Sequence, residues 1–222
     1  MARKFLFSIV ITTLMLSTTT SKNTAPIDED YVLCLKSIKH SLEDPHNYLK
    51  SWDVDNPNIN YPGFICKFNG IMCWNPGENR VLGMNLSYFG LKGKFPSGIS
   101  KCSGILMLNI SHNHFYGPIP SNISTMLPFL VTLKMSSNRF SGEIPASLGN
   151  CSHLSVLELD HNRFSGRIPA AIGELQWVSK FSVANNLLVG PIPRFVNGRM
   201  FNATSYDNNL GLCGYPFKPC KS

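Results

Sequence analysis

Apolar positions in this 222-residue chain follow a repeating figure rather than one long amphipathic run. Pairs of apolar residues spaced by two recur at Met84 and Leu86, Leu108 and Ile110, Leu133 and Met135, Leu157 and Leu159, and Phe181 and Val183. Each pair predicts a short strand whose two apolar side chains point inward and whose middle residue points to solvent, because strand side chains alternate. After each pair comes a Gly-x-(Ile/Phe)-Pro tetrad, beginning at Gly93, Gly117, Gly142, Gly166 and Gly190, in steps of 24, 25, 24 and 24 residues. Gly and Pro there punctuate the return segment and limit regular helix. The one extra residue falls near Leu127-Pro128 and predicts a small bulge outside the strand ladder.

Before four of the tetrads stands an Asn: Asn113, Asn138, Asn162 and Asn186. A carboxamide both donates and accepts, so these four predict a buried ladder that satisfies backbone groups where the chain leaves each strand. In the first repeat Phe89 takes the Asn position. Together the apolar pair, the Asn and the tetrad form a leucine-rich repeat. The expected fold is an α/β solenoid, a right-handed leucine-rich repeat superhelix of about five 24-residue repeats with a cap at each end.

Upstream, Val32, Leu35, Ile38 and Leu42 recur at helical intervals and stop at Asp44-Pro45. Leu49 and Trp52 are expected to pack this helix on the first repeat, and residues 53–63, rich in Asn and Pro, read as loop. Arg3 and Lys4 precede an apolar run from Phe5 to Leu16, which reads as a secretory signal peptide over residues 1–22 and is too short to span a bilayer. The remaining divisions are a linker and N-terminal cap over 23–79, five repeats over 80–200 and a C-terminal cap over 201–222.

Composition sharpens the picture in two places. The formal net charge of +7 is uneven: residues 27–79 carry four Lys or Arg against eight Asp or Glu, whereas residues 80–200 carry eleven against four. A basic repeat face admits acidic partners, including acidic wall polysaccharide, whereas nucleic acid is disfavoured without a basic cluster or a stacking motif. His114, Arg139 and Arg163, one after each ladder Asn, add a cationic flank. Seven cysteines in an oxidising compartment point to bridges. Cys66 with Cys73, and Cys213 with Cys220, flank the array and read as cap disulfides. Cys102 and Cys151 share a repeat position two repeats apart, roughly 10 Å at strand spacing and beyond disulfide reach. Both are expected as small buried side chains, with Cys34 left unassigned.

No catalytic, metal or cofactor signature emerges. His112 and His161 occupy equivalent outward positions, with Glu158 and Asp160 beside the second, but an open sheet supplies no water-excluding pocket for acid–base work. Metal-ligand spacing is absent. Five Asn-x-Ser/Thr sequons stand at Asn85, Asn109, Asn122, Asn150 and Asn202. Asn85 and Asn109 fall on adjacent strands, where two glycans about 5 Å apart would crowd, so at most one is expected to be fully occupied.

Several phrases narrow the resemblance further. Leu33-Cys34-Leu35-Lys36, Asp44-Pro45, Ser51-Trp52, Ile65-Cys66-Lys67, Cys73-Trp74 and Glu78-Asn79-Arg80 resemble the ectodomains of plant receptor-like pseudokinases of the BIR family. So do Met126-Leu127-Pro128-Phe129-Leu130-Val131-Thr132-Leu133, the five repeats and Asn209-Leu210-Gly211-Leu212-Cys213-Gly214. The resemblance implies a non-enzymatic ectodomain that associates with SERK-type co-receptor kinases through its repeat surface and restrains immune or growth signalling. Carried over by repeat position, the protein-binding candidates are Tyr88, His112, Lys134, Glu158, Asp160, His161 and Lys180. Members of that family continue into a membrane span and a pseudokinase, so the chain is expected to be either a secreted ectodomain-only relative or the product of a truncated gene. In the first case it reaches the plasma membrane only through a partner. The alternative is a secreted defence inhibitor of a wall-degrading enzyme, similar to polygalacturonase inhibitors, which usually have about twice as many repeats.

Overall fold

The computed structural model describes residues 29–220, so the signal-peptide segment and the first linker residues lie outside the described residues. Helix α1 (Glu29–Ser41) begins with Glu29 and Asp30 and ends with Lys39 and His40, charges that complement the helix dipole. Its buried residues Tyr31, Cys34, Leu35 and Ile38 face the first repeat, where α1 packs on the 3₁₀ segment Ser97–Cys102. Trp52 is fully buried beneath the cap, and its indole N–H donates to the Asn69 carbonyl at 2.8 Å.

Two six-stranded sheets run along the array. The inner sheet comprises β1 (Ile71–Cys73), β2 (Val81–Asn85), β4 (Met107–Asn109), β6 (Thr132–Lys134), β8 (Val156–Glu158) and β10 (Lys180–Ser182), in that order. β1 joins antiparallel from the cap and the remaining pairs are parallel. The expected apolar pairs are buried: Leu157 and Leu159, for example, are fully inaccessible. The extra residue is absorbed near the short helix Ile123–Met126, because Met107, Leu108 and Asn109 still pair with Thr132, Leu133 and Lys134 without a break.

A second sheet was not anticipated. β3 (Lys92–Gly93), β5 (His114–Gly117), β7 (Arg139–Glu143), β9 (Arg163–Gly166), β11 (Leu187–Pro191) and β12 (Gly211–Cys213) pair in parallel where the tetrads suggested irregular return segments. Every strand after β3 contributes one buried apolar side chain, and Phe115, Phe140 and Phe164 stack nearly parallel with centroids 5.9 and 6.2 Å apart. The tetrad glycines Gly117, Gly142, Gly166 and Gly190 adopt φ of 81°, 83°, 77° and 84°, a left-handed turn that side-chain-bearing residues resist. That turn lets a strand pass directly into the return segment.

The Asn ladder runs between the two sheets. Asn113, Asn138, Asn162 and Asn186 each accept one backbone N–H from the preceding repeat and donate to three carbonyls. A fifth rung extends the ladder into the C-terminal cap. Asn209 accepts from Leu188 N at 3.0 Å and donates to the Val183, Tyr206 and Asp207 carbonyls. Phe89, in the rung position of the first repeat, instead stacks on Tyr48 of the cap at 4.6 Å.

Cysteine pairing requires one correction. Cys66–Cys73 and Cys213–Cys220 are bonded at the two ends, and Cys151 is buried and unpaired. Cys102, however, is bonded to Cys34 across 68 residues of sequence. Repeat position relates Cys102 only to Cys151 and says nothing of Cys34. Helix α1 lies over the first repeat and brings Cys34 within a Cα separation of 5.7 Å.

Candidate binding face

Side chains on the open face of the inner sheet form rows, because equivalent residues of successive repeats are register partners. One row runs Asn85, Asn109, Lys134, Glu158 and Ser182. The next outward positions, Ser87, Ser111, Ser136, Asp160 and Ala184, lie just past the strand ends. A third row precedes each rung position: Tyr88 before Phe89, then His112, Ser137, His161 and Asn185 before ladder Asn residues, continued by Asn208 in the cap. All six of these have positive φ, between 54° and 62°.

Tyr88, His112 and His161 were anticipated as outward strand residues; they stand instead at left-handed corners beyond the strands. Five of the six corners accompany a ladder Asn, and Tyr88, before Phe89, adopts the same left-handed φ without one. Each Asn has to reach carbonyls on both sides of the turn, and the residue before it takes up the reversal.

The seven candidates fall into three contacts. The rings of Tyr88 and His112 stack with centroids 4.1 Å apart and an interplanar angle of 8°. Glu158 lies between two lysines, with Lys134 Nζ at 3.2 Å and Lys180 Nζ at 2.5 Å. The Glu158 side chain is only 14% exposed, so this triad is less screened than a pair at the rim. Asp160 accepts from the Ser136 hydroxyl at 2.6 Å and faces His161 Nδ1 at 2.9 Å. Burial alone would raise the Asp160 carboxyl pKa, but the Ser136 and His161 hydrogen bonds outweigh it and hold it below the ordinary carboxylate value. The face is therefore aromatic at its N-terminal end and a compensated mosaic of charge at its centre.

Ser136, Ser137, Asn185 and Asn208 belong to the same face but were not singled out. Ser136 anchors Asp160, and Asn208 Nδ2 donates to Asn185 Oδ1 at 2.8 Å. Their fixed offsets before a rung Asn, two residues for Ser136 and one for Ser137, Asn185 and Asn208, were the signal that could have found them. His114, Arg139 and Arg163 lie on the second sheet, away from this face. A cleft of about 550 Å³ near Lys92, Lys94 and Tyr116 also belongs to that side. Among the described residues no group of three or more His, Cys, Asp or Glu is placed to hold a metal ion, and none of their helices is long and apolar enough to cross a membrane.

Capped parallel repeats with an open, polar inner face define a leucine-rich repeat recognition domain. The leucine rich repeat N-terminal domain family matches residues 28–74, and the leucine rich repeat family matches 105–126, 129–151 and 153–175. An Arabidopsis thaliana leucine-rich repeat receptor-like protein kinase is 46% identical over 209 residues, covering 94% of this chain and 32% of that relative. The inactive receptor-like kinase BIR2 of Arabidopsis thaliana is 44% identical over 128 residues, 58% of this chain and 21% of the relative. Among solved structures, the Arabidopsis thaliana BIR2 ectodomain superposes with a TM-score of 0.80 at 42% identity, covering 85% of this chain and 96% of that one. A chain of the Arabidopsis thaliana BIR3–SERK2 complex superposes with a TM-score of 0.79 at 38% identity, covering 86% and 99%.

The chain belongs to the leucine-rich repeat ectodomain family of the BIR-type receptor-like kinases. It spans about a third or less of the length of the full-length relatives named above. The matched region is a repeat ectodomain, not a catalytic domain, and its three disulfides fit an extracellular setting.

Proposed function

We propose that this protein is a secreted binding module whose inner face engages the ectodomain of a SERK-type co-receptor kinase and thereby tempers immune or growth signalling. One observation carries the reading: a chain covered to 99% by this domain is part of the BIR3–SERK2 complex. The inner face suits such a role. Its charges are already paired within the protein, so a partner meets fixed polar groups at little ordering cost. The Tyr88–His112 stack supplies rigid aromatic area, the type of surface enriched in interface hot spots.

Binding of the secreted protein to isolated SERK-type ectodomains, measured by calorimetry, tests the proposal. Saturable binding is expected, weakened about tenfold or more by Lys180→Glu, which sets a second carboxylate beside Glu158. Arg163→Glu, on the second sheet, is expected to leave affinity unchanged. Absence of binding at about 0.1 mM, or a loss caused by Arg163→Glu alone, would exclude this face as the contact.

A further inference from the structure

The two sequons of the inner face are neighbours with unequal surroundings. Asn85 and Asn109 are register partners in β2 and β4, about 5 Å apart. Asn109 is half-buried and bonded at both side-chain polar atoms: its Nδ2 donates to Asn85 Oδ1 at 3.0 Å, and its Oδ1 accepts from the Ser111 N–H at 3.1 Å and from the Ser111 hydroxyl. It is hemmed in on both sides, by Asn85 and by its other register partner, Lys134.

Asn85 differs on each count. It is exposed, and its Oδ1 accepts from the Ser87 hydroxyl at 2.8 Å and from Asn109. Its own Nδ2 has no hydrogen-bond partner among the described residues. On the cap side its backbone N–H meets the Gly70 carbonyl at 2.7 Å, and Gly70 has no side chain to oppose a substituent.

We infer that Asn85 carries an N-linked glycan and that Asn109 does not. The modification forms a bond between Asn85 Nδ2 and C1 of a lipid-diphosphate oligosaccharide. One amide proton is lost, and the C1–O bond breaks as the lipid diphosphate departs with the bonding pair. Transfer competes with folding: once β2 and β4 pair, Asn109 Nδ2 is engaged and flanked, whereas Asn85 Nδ2 stays open to the donor. A sugar on Asn109 would have to leave the Asn109–Asn85 bond on its one remaining amide hydrogen and fit between two occupied positions, whereas a sugar on Asn85, whose Nδ2 donates to nothing among the described residues, leaves every bond of the pair in place. The glycan then borders the Tyr88–His112 stack and leaves Lys134, Glu158, Asp160, His161 and Lys180 clear of it.

The inference rests on the extracellular placement proposed above, and one measurement separates the two. The full chain, secreted from plant or insect cells, is deglycosylated enzymatically in ¹⁸O water, and tryptic and chymotryptic peptides are read by mass spectrometry. Expected is ¹⁸O-labelled aspartate at Asn85 in most molecules and unmodified asparagine at Asn109. Label at Asn109, or no label at Asn85 while Asn122, Asn150 or Asn202 is labelled, overturns this inference alone. No label at any of the five sequons overturns the extracellular placement with it.

Discussion

The side-chain oxygen of Asn162 accepts the backbone N–H of Phe140, one repeat earlier, at 3.0 Å. The same side chain donates to the carbonyls of Met135, Leu159 and Asp160 at 2.9, 3.1 and 3.2 Å. One carboxamide thus ties together two repeats and both sheets. Asn162→Ala strands one donor and leaves three acceptors short of a partner. The expected loss is about 2–4 kcal/mol, read as a lower denaturant midpoint, and Asn162→Asp is expected to fare little better because it removes the amide donors. A loss below about 0.5 kcal/mol would show that water replaces the rung.

The cap disulfides should rank by the loops they close. Cys34–Cys102 spans 68 residues and Cys66–Cys73 spans 7, and both have Cα separations of 5.7 Å. Chain-entropy bookkeeping gives about 4 kcal/mol for the long loop and about 2 kcal/mol for the short one. The double variant Cys34→Ser/Cys102→Ser is therefore expected to lose roughly twice as much stability as Cys66→Ser/Cys73→Ser. Equal losses would locate the effect in local packing of α1 rather than in the constraint on the unfolded chain.

Cys151 offers a direct probe of opening. It is the one unpaired cysteine, fully buried, and burial pushes its thiol pKa up to about 11. Its thiolate is scarce and shielded at pH 8, so iodoacetamide should leave the native protein unlabelled and modify one site once denaturant exceeds the unfolding midpoint. Rapid labelling of the native protein would reveal local opening of the third repeat.

The architecture was legible because the repeat carries its own register. A strand, a rung and a turn recur every 24 or 25 residues, and an error in one repeat is checked by the next. Phe115, Phe140 and Phe164 lay in plain view at a fixed offset, yet the second sheet was missed because glycine and proline beside them suppress any strand reading. The Cys34–Cys102 bond was missed for a different reason: it depends on where α1 docks, and no local pattern encodes that. The inner face was expected as outward strand positions; Lys134, Glu158 and Lys180 do stand on strands, whereas Tyr88, His112 and His161 stand at corners beyond them. Its pairings, such as Lys134 and Lys180 sharing Glu158, became visible only once adjacent strands were in register.

Asp160 makes stability depend on acidity in a defined direction. Its folded-state pKa lies below the ordinary value, so its contribution is fully present above the unfolded carboxylate pKa of about 3.9 and fades as pH falls through the lower folded value. Asp160→Asn is expected to cost about 1 kcal/mol near neutrality, with the gap from the parent protein closing below about pH 4. Ser136→Ala should reproduce part of that pH-dependent loss, because it removes the 2.6 Å hydrogen bond that favours the ionised form. A constant gap from pH 3 to pH 7, measured by denaturant unfolding, would assign the effect to packing instead.

The row of left-handed corners supplies the last test. Six residues before rung positions adopt φ between 54° and 62°, and four of them are His or Asn, types that tolerate this region. Ser137 has φ of 55°, and its side chain makes no hydrogen bond among the described residues, so its backbone strain is uncompensated. Ser137→Asn is accordingly expected to raise stability by about 0.5 kcal/mol, whereas Ser137→Val should lower it by about 1–2 kcal/mol, since a β-branched side chain suits this region least. Both substitutions leave the backbone bond from Ser137 N to the Asp160 carbonyl at 2.9 Å free to form. Opposite shifts in denaturant midpoint at constant slope would therefore report corner strain alone, and shifts of the same sign would mean that side-chain size on the inner face governs this position.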